Sequence, residues 1–392
     1  MPLVTRLYTP EMLGKIGIFL SFFGIWASVS NWRYENAVLV ARGSREASLL
    51  IIVCFYISLI MSVVSVPTLF LLIKNNVLGF GILDLWVCII GGLCLTFYAI
   101  FIIARSYFLK IAKVKPISYS VISKTLSNVT ARIGLGVFGG GAPALFISEV
   151  LSNMLAALLM IRLSTTFRFI KFASRIKMKR LINVARSYDK YPKYEVLSTA
   201  INQLAIVLPL PIIASLYGAA PAGLFGLARL IYSVPNTQIG KATADVFQMK
   251  FSEYVRAKEF DNASRFFIKV SIYLLALSIL FTSLIVIGIT PVVDFIFGEQ
   301  WSGVSDIVIA MSPWMLATLV VSSVSRALSA LQKQELKLIY DCLSLILVFF
   351  LYFYTRSHDI SINNFLWGLS IGFTACYIVF YILIYHAVVK AD

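Results

Sequence analysis

Histidine and cysteine are scarce in this sequence of 392 residues, and neither type forms a cluster. His358 and His386 stand alone near the ends of apolar segments, so no histidine pair supports a metal site or Ser/His catalysis. The five cysteines all fall within apolar segments and form no C-x-x-C pair: Cys54, Cys88, Cys94, Cys342 and Cys376. We therefore expect neither a disulfide framework nor a metal site.

Charge is scarce as well, and this excludes an ordinary soluble domain. Only 13% of the residues are charged, about half the usual share, while 59% are hydrophobic. Apolar runs of about 20 residues recur along the chain, which is typical of an integral membrane protein. Motifs expected of a membrane enzyme are also missing: the chain has no D-x-D pair, and "GVFGGGAP" lacks the Lys-Ser/Thr of a phosphate-binding loop.

The apolar runs predict eleven membrane spans. They lie near 13–32, 48–73, 80–104, 118–138, 142–163, 194–216, 221–245, 262–289, 303–325, 335–355 and 362–388. The first run is too long for a cleavable signal and follows an acidic, proline-containing start, so we expect it to be retained.

The net charge of +16 is distributed as a topology signal rather than as a nucleic-acid surface. Alternate loops and the C-terminal end hold 27 of the 34 Lys and Arg residues: 33–47, 105–117, 162–193, 241–269, 326–337 and Lys390. The positive-inside rule makes these segments, and the C-terminus, cytoplasmic.

A weak internal repeat suggests two halves. "LYTPEMLGKIG" (7–17) and "LYGAAPAGLFG" (216–226) share a leucine, a tyrosine and two glycines at an offset of 209 positions. We expect a plan of two parallel six-span halves, as in many transporters, in which this sequence begins at the end of the first span. The predicted domains are an amino-terminal lobe (1–163), a basic cytoplasmic loop (164–193) and a carboxyl-terminal lobe (194–392).

The basic loop contains "RFIKFASRIKMKRLINVARSYDKY", which alternates basic and apolar residues as an interfacial helix does. Arg168, Lys171, Arg175, Lys179 and Arg186 supply its positive charge. Contact with anionic lipid is the favoured interpretation, and direct binding of substrate head groups is the alternative.

The fourth span carries a polar stripe, and intramembrane charge is a default sign of function. Its members lie within roughly 140° of one helix face: Ser120, Lys124, Ser127, Asn128 and Arg132. The short glycine turn that follows brings Glu149 to about the depth of Arg132. The pair is expected either to bind a ligand or to fix the two helices together.

Arg229 is the second intramembrane cation, with Tyr232 adjacent and Asn236 two turns further on. The preceding span adds Asn202 and Gln203, and Asp341 lies one turn inside the tenth span as an interface residue. Snorkelling of Arg229 to the outer surface is the alternative to a binding role. Lys124, Arg132 and Arg229 together predict a cationic interior suited to a phosphate or diphosphate.

Several stretches resemble Wzx-type polysaccharide flippases of the multidrug/oligosaccharidyl-lipid/polysaccharide (MOP) exporter superfamily. The similar segments are "YPKY", "AGLFGLARLIYSVP", "ATADVFQMKFSEY", "PLVTRLYTPEMLGKIGIF" and "SNWRYENAVLV". The resemblance implies an all-α, MATE-like MOP fold of two helical lobes around a central cleft, with eleven of an expected twelve spans present here. The family has an arginine and a proline in the eighth of its twelve spans, which is the seventh of the eleven spans predicted here. They correspond to Arg229 and Pro235.

The resemblance also implies a function. Such proteins move undecaprenyl-diphosphate-linked oligosaccharide from the cytoplasmic to the outer leaflet of the bacterial inner membrane by alternating access, for O-antigen in lipopolysaccharide, capsule or exopolysaccharide. A polymerase and a chain-length regulator are partners by family context, and no cofactor is expected. Glu149 and Asp341 are candidate ion carriers, with proton, sodium and no ion all open. A drug/cation antiporter of the same superfamily is the main alternative, followed by a membrane polysaccharide polymerase and by a lipid II flippase.

Overall fold

A computed structural model describes residues 2–163, 177–331, 333 and 335–390, and these residues are helical with connecting turns and no strand. Contacts divide the chain into two units, Leu3–Ala220 and Pro221–Asp392. The predicted basic residues Arg168, Lys171 and Arg175 lie outside the described residues.

The first unit contains ten helices within the described ranges. They are α1 (Pro2–Leu7), α2 (Pro10–Val29), α3 (Tyr34–Val40), α4 (Ser44–Lys74), α5 (Val87–Lys110), α6 (Lys115–Val137), α7 (Gly141–Leu163), α8 (Met178–Ser187), α9 (Val196–Val207) and α10 (Pro209–Tyr217). A 3-10 helix (Val77–Ile82) precedes α5, and a π-helical turn (Tyr191–Glu195) leads into α9.

The second unit begins within α11, and its helices are again given for the described residues. They are α11 (Ala219–Pro235), α12 (Lys241–Arg256), α13 (Phe260–Phe297), α14 (Val304–Val324), α15 (Ala327–Ala330), α16 (Glu335–His358) and α17 (Ile362–Val389). A π-helical turn (Asn236–Gly240) joins α11 to α12, directly after Pro235. Proline removes one helical hydrogen bond, so a change of helix type at this point is physically expected.

Eight of the described helices are long and apolar enough to cross a membrane. The helical segments Tyr191–Val207 and Pro209–Tyr217 are bent by 40° relative to each other, and they give a ninth span if they are counted as one. The chain is therefore a multi-pass, all-α membrane protein, as predicted. Each of the eleven predicted spans contains a helix. However, α6 and the α11–α12 segment are not among the helices that are long and apolar enough to cross a membrane, so the count of eleven stays a prediction.

The low hydropathy of α6 is due to a polar face on an otherwise apolar helix. Tyr119, Ile122 and Leu126 recur at helical spacing and are exposed, and they form a face suited to lipid. The polar stripe lies on another face, and α6 packs chiefly against α7. The helix is therefore amphipathic, with its polar side directed into the protein.

Aromatic packing forms much of the core of the first unit. The ring centroids of Phe19 and Phe146 are 5.3 Å apart, as are those of Trp86 and Phe146, while those of Phe23 and Tyr98 are 5.4 Å apart. These edge-to-face pairs join α2, α5, α7 and the turn before α5. They hold the helices that position the polar stripe.

Helices α9 and α10 pack against α2 and the 3-10 helix within the first unit. The contact is close at Gly79, where an added Cβ would lie 2.6 Å from the backbone nitrogen of Ser215. The sequence interpretation places the same segment at the start of the carboxyl-terminal lobe. The units and the predicted lobes thus differ in where they group α9 and α10, and the lobe boundaries stay a prediction.

Candidate functional site

The carboxylate of Glu149 on α7 is the centre of a polar cluster in the first unit. Its Oε2 accepts a hydrogen bond from Asn128 Nδ2 at 2.9 Å and lies 3.4 Å from Arg132 Nη2. Its Oε1 accepts from Asn153 Nδ2 at 3.2 Å. The predicted Arg132–Glu149 pair is therefore confirmed, and both side chains are about nine-tenths buried. Whether these groups bind substrate stays a prediction.

Lys124 lies beside this cluster without entering an ion pair with any described carboxylate. Its Nζ is 5.3 Å from the centre of the Tyr98 ring on α5, a cation–π geometry. Its charge also interacts electrostatically with Glu149. One carboxylate thus faces two cations, Lys124 and Arg132, and the cluster as a whole keeps a positive charge.

Tyr8 fixes the position of the Arg132 backbone. Its hydroxyl donates a 2.7 Å hydrogen bond to the Arg132 carbonyl oxygen, across the interface between the α1–α2 connection and α6. A Cβ added at Gly136, one turn later on α6, would lie 2.9 Å from that hydroxyl oxygen. Glycine at this position therefore permits the approach of Tyr8.

The predicted amides on α9 lie in the same unit. Asn202 and Gln203 are both half-buried. Gln203 Nε2 lies 3.3 Å from where a Cβ at Gly24 of α2 would be, so the glycine makes room for the amide. Their role in binding stays a prediction.

Arg229 lies in the second unit, ten residues after the start of α11 and therefore about 15 Å along its axis. Its guanidinium carbon is 5.9 Å from the centre of the Phe225 ring, one turn earlier. No carboxylate among the described side chains forms an ion pair with it. Arg229 is half-buried and retains an uncompensated positive charge at this depth.

The other predicted residues of the second unit occupy different surroundings. Tyr232 is 2% exposed and donates to the Val308 carbonyl oxygen at 3.1 Å, which ties α11 to α14. Asn236 begins the π-helical turn, with its Nδ2 3.9 Å from Met315 Sδ. Asp341 is 1% exposed on α16 beside buried Ser344. The geometry of Tyr232 suits a positioning role, and all three assignments stay predictions.

Some neighbours of the predicted residues were not identified from the sequence. Asn153 could have been found, because it lies one helical turn after Glu149 and shares its face. Tyr98 on α5 gives no comparable signal, since its approach to Lys124 depends on the packing of α5 against α6. Within the described residues, no group of three or more His, Cys, Asp or Glu is placed to hold a metal ion.

Comparison with known proteins is informative at the level of family and fold. Residues 3–306 match the family described as "Polysaccharide biosynthesis protein". No curated protein matches the sequence.

Three solved structures illustrate the likeness of fold. An inward-facing multidrug resistance MATE family transporter of the MOP superfamily has a TM-score of 0.78 at 15% identity, over 100% of this chain and 95% of that chain. The lipid II flippase MurJ, in an inward closed conformation, gives 0.73 at 13%, over 97% and 84%. A MOP superfamily transporter from Pyrococcus furiosus Vc1, described as having a binding pocket of reverse polarity, gives 0.57 at 14%, over 99% and 88%. The MOP fold predicted from the sequence is thereby confirmed.

Proposed function

Because this chain belongs to the polysaccharide biosynthesis protein family, we propose that it is a flippase for polyprenyl-diphosphate-linked oligosaccharide. The structures of similar fold described above are named as transporters or as a flippase, which supports a transporter rather than an enzyme. The proposed direction is from the cytoplasmic to the outer leaflet of a bacterial inner membrane, with the C-terminus cytoplasmic. The glycan would serve O-antigen, capsule or exopolysaccharide synthesis.

The observation that carries the proposal is the uncompensated charge of Arg229. A cation at such depth is costly unless it faces water or an anionic ligand, and guanidinium binds phosphate oxygens in a bidentate manner. Lys124 and Arg132 provide further positive charge in the first unit, with Asn128, Asn202 and Gln203 as donors for phosphate or sugar. A drug/cation antiporter would instead require unpaired carboxylates.

The membrane potential favours this direction of transport. Moving two negative charges out of a negative interior is favourable by about 4 to 5 kcal/mol per 100 mV, at ~2.3 kcal/mol per charge. Alternating access, as the resemblance implies, would let the head group cross while the lipid tail stays in the bilayer. Glu149 and Asp341 are the proposed sites of any coupled ion. The basic residues of α8, Lys179 and Arg186, are proposed to contact anionic lipid.

We predict that Arg229→Ala abolishes surface glycan while the protein stays in the membrane at its normal level. The lost group is the cation that would hold the diphosphate, and Arg229→Lys should restore part of the activity because it keeps charge but loses bidentate geometry. Surface glycan and membrane-bound protein are measured together by gel electrophoresis and immunoblotting.

Arg256→Ala is the matched control, because Arg256 is an exposed arginine on α12 whose Nε bonds the Ser252 carbonyl oxygen of its own helix. It should leave surface glycan at the wild-type level. Normal glycan in Arg229→Ala would defeat the assignment of Arg229 to the substrate.

A further inference from the structure

A cavity of about 410 Å³ lies in the second unit, where α16 ends and α17 begins. Its volume is within the range of small-molecule binding sites. Helix α17 leads to the C-terminus, which is predicted to be cytoplasmic, so the turn between α16 and α17 lies on the predicted outer side. Among the described residues, the lining includes none of those assigned above to substrate or ion. The cavity is therefore a site of its own.

Polar side chains from three consecutive elements line this cavity. They are Thr355 and His358 of α16, Asp359 and Ser361 of the turn, and Asn364 of α17. A carboxylate only accepts hydrogen bonds, whereas a hydroxyl and an amide both donate and accept. Ser361 Oγ accepts from the Asn364 backbone nitrogen at 3.5 Å and caps α17, a contact that leaves the Asn364 side-chain amide available to a ligand.

His358 adds a second acceptor next to the Asp359 carboxylate. Its Nδ1 lies 3.0 Å from the Tyr354 carbonyl oxygen, one helical turn earlier. A carbonyl oxygen only accepts, so Nδ1 carries the hydrogen, and Nε2 of the neutral ring is an acceptor. Two acceptors on consecutive residues suit a ligand with neighbouring hydroxyl groups.

The rest of the lining is apolar and includes Leu351, Tyr354, Phe365 and Gly368. Phe365 is 2% exposed, while Tyr354 is 45% exposed. A Cβ added at Gly368 would lie 3.6 Å from Leu351 Cδ2, so the glycine leaves space that a larger side chain would fill. The cavity thus combines apolar surface with hydrogen-bonding groups. A pyranose ring has the same combination, with C–H groups on its faces and hydroxyls at its edge.

The charge of this cavity is opposite to that of the cationic groups described above. Among the described residues that line it, Asp359 carries the formal charge and no lysine or arginine is present. Arg356 on α16 instead donates from Nη1 to the Tyr352 hydroxyl at 3.1 Å. The carboxylate would repel a diphosphate, whereas the hydroxyls of a neutral ligand donate charge-assisted hydrogen bonds to it.

We propose that this cavity binds a neutral sugar ring of the lipid-linked oligosaccharide on the predicted outer side of the protein. The proposal rests on the proposed function and assigns different parts of one substrate to different sites. The cationic groups bind the diphosphate, and this cavity binds a sugar. Asp359 and His358 accept from the sugar hydroxyls, while Asn364 both donates and accepts. Tyr354 and Phe365 contact the C–H face of the ring.

The test measures equilibrium binding of a lipid-free probe to the purified full-length protein in detergent. The probe is a set of short neutral oligosaccharides, obtained by partial hydrolysis of the purified surface polysaccharide of the host strain. Saturation-transfer NMR titration gives the dissociation constant. We expect saturable binding to the wild type. Asn364→Ala and Asp359→Asn should each raise the dissociation constant about tenfold, because each removes hydrogen bonds to the ligand.

Two matched controls locate the binding. Asn363 is the exposed neighbour of Asn364 and does not line the cavity, and Asp306 is an exposed carboxylate at the start of α14. Asn363→Ala and Asp306→Asn should both bind within about twofold of the wild type. The proposal is overturned if the wild type shows no saturable binding, or if Asn364→Ala binds as tightly as Asn363→Ala.

A lipid head group is the opposing occupant, because an ammonium also suits a carboxylate. Ethanolamine is therefore titrated as a second probe. Binding of ethanolamine that depends on Asp359, without binding of the oligosaccharides, would assign the cavity to a lipid and overturn the proposal. Gly368→Leu provides an independent variant, since it fills apolar space and changes no polar group. It should weaken sugar binding by a similar factor.

The outcome is separable from that of the proposed function. Sugar binding that depends on Asn364, in a protein that moves no lipid-linked oligosaccharide, would contradict the flippase and leave the sugar site standing. Transport by a protein whose cavity binds no sugar would overturn the sugar site alone.

Discussion

At the scale of single residues, the molecule handles its buried charges in two different ways. Glu149 is surrounded by donors from Arg132, Asn128 and Asn153, so its charge is largely satisfied within the first unit. Arg229 has only the face of Phe225 as a described charge-compensating contact. A buried charge that has bonded partners, such as that of Glu149, is suited to holding helices together or to changing its partners. A buried cation without a counter-charge, such as Arg229, is suited to binding an anion.

We predict measurable coupling between Arg132 and Glu149. In a double-mutant cycle with Arg132→Gln and Glu149→Gln, the coupling free energy should be about 0.5 to 3 kcal/mol, because each single change removes one member of a buried ion pair and leaves the other buried. Reversible unfolding of the detergent-solubilised protein provides the measurement. The exposed pair Arg326–Asp245, at 3.7 Å, is the control and should give no more than about 1 kcal/mol. Equal coupling in the two cycles would contradict this account of burial.

We also predict a pH dependence of stability that comes from Glu35. Burial raises its pKa in the folded protein, so its contribution is present at low pH and is lost as the pH rises through that raised value. The melting temperature should therefore fall over this range, and Glu35→Gln should flatten the slope. Glu253→Gln, which changes an exposed carboxylate on α12, should keep the wild-type slope. An unchanged slope in Glu35→Gln would contradict the assignment of this pH dependence to Glu35.

At the scale of secondary-structure elements, close backbone approach fixes α10 in the first unit. Gly79 has a φ of 75°, and a Cβ there would meet the Ser215 backbone nitrogen at 2.6 Å. Gly139 also has a φ of 75° but has open space around it. The two glycines therefore share the same conformational requirement and differ in packing.

We predict that Gly79→Ala destabilises the protein more than Gly139→Ala does. The left-handed conformation alone costs about 1 to 2 kcal/mol, and overpacking at Gly79 adds roughly 1 to 3 kcal/mol. Thermal unfolding of the two variants, compared with the wild type, measures the difference. Equal losses would mean that α10 moves away from the 3-10 helix at little cost.

Sequence reasoning succeeded where the signal is local. Apolar length located the helices, and helix rise from a short turn placed Glu149 beside Arg132. It failed for contacts between distant segments: Asn36 and Glu195 are separated by 159 positions, and nothing in either segment indicates the other. The bend at Val207–Pro209 has a local cause in Pro209, whereas the packing of α9 on α2 has no local signal in either segment.

At the scale of the whole molecule, the family and the fold are established and the substrate is proposed. The MOP fold is shared by proteins named as multidrug transporters and as a lipid II flippase, so the fold by itself does not choose the substrate. The proposed substrate rests on the sign of the buried charge, because cations outnumber carboxylates around both Lys124 and Arg229 among the described residues. The proposed substrate is accordingly anionic and lipid-linked.

The most direct test is the leaflet position and length of lipid-linked oligosaccharide in a strain that lacks this gene. The account predicts single repeat units trapped on the cytoplasmic leaflet, with no surface polymer, and recovery when the wild-type gene is returned. Single units that reach the outer surface unpolymerised would instead indicate a polymerase. Unchanged surface glycan, accompanied by greater sensitivity to cationic drugs, would contradict the flippase and indicate an antiporter.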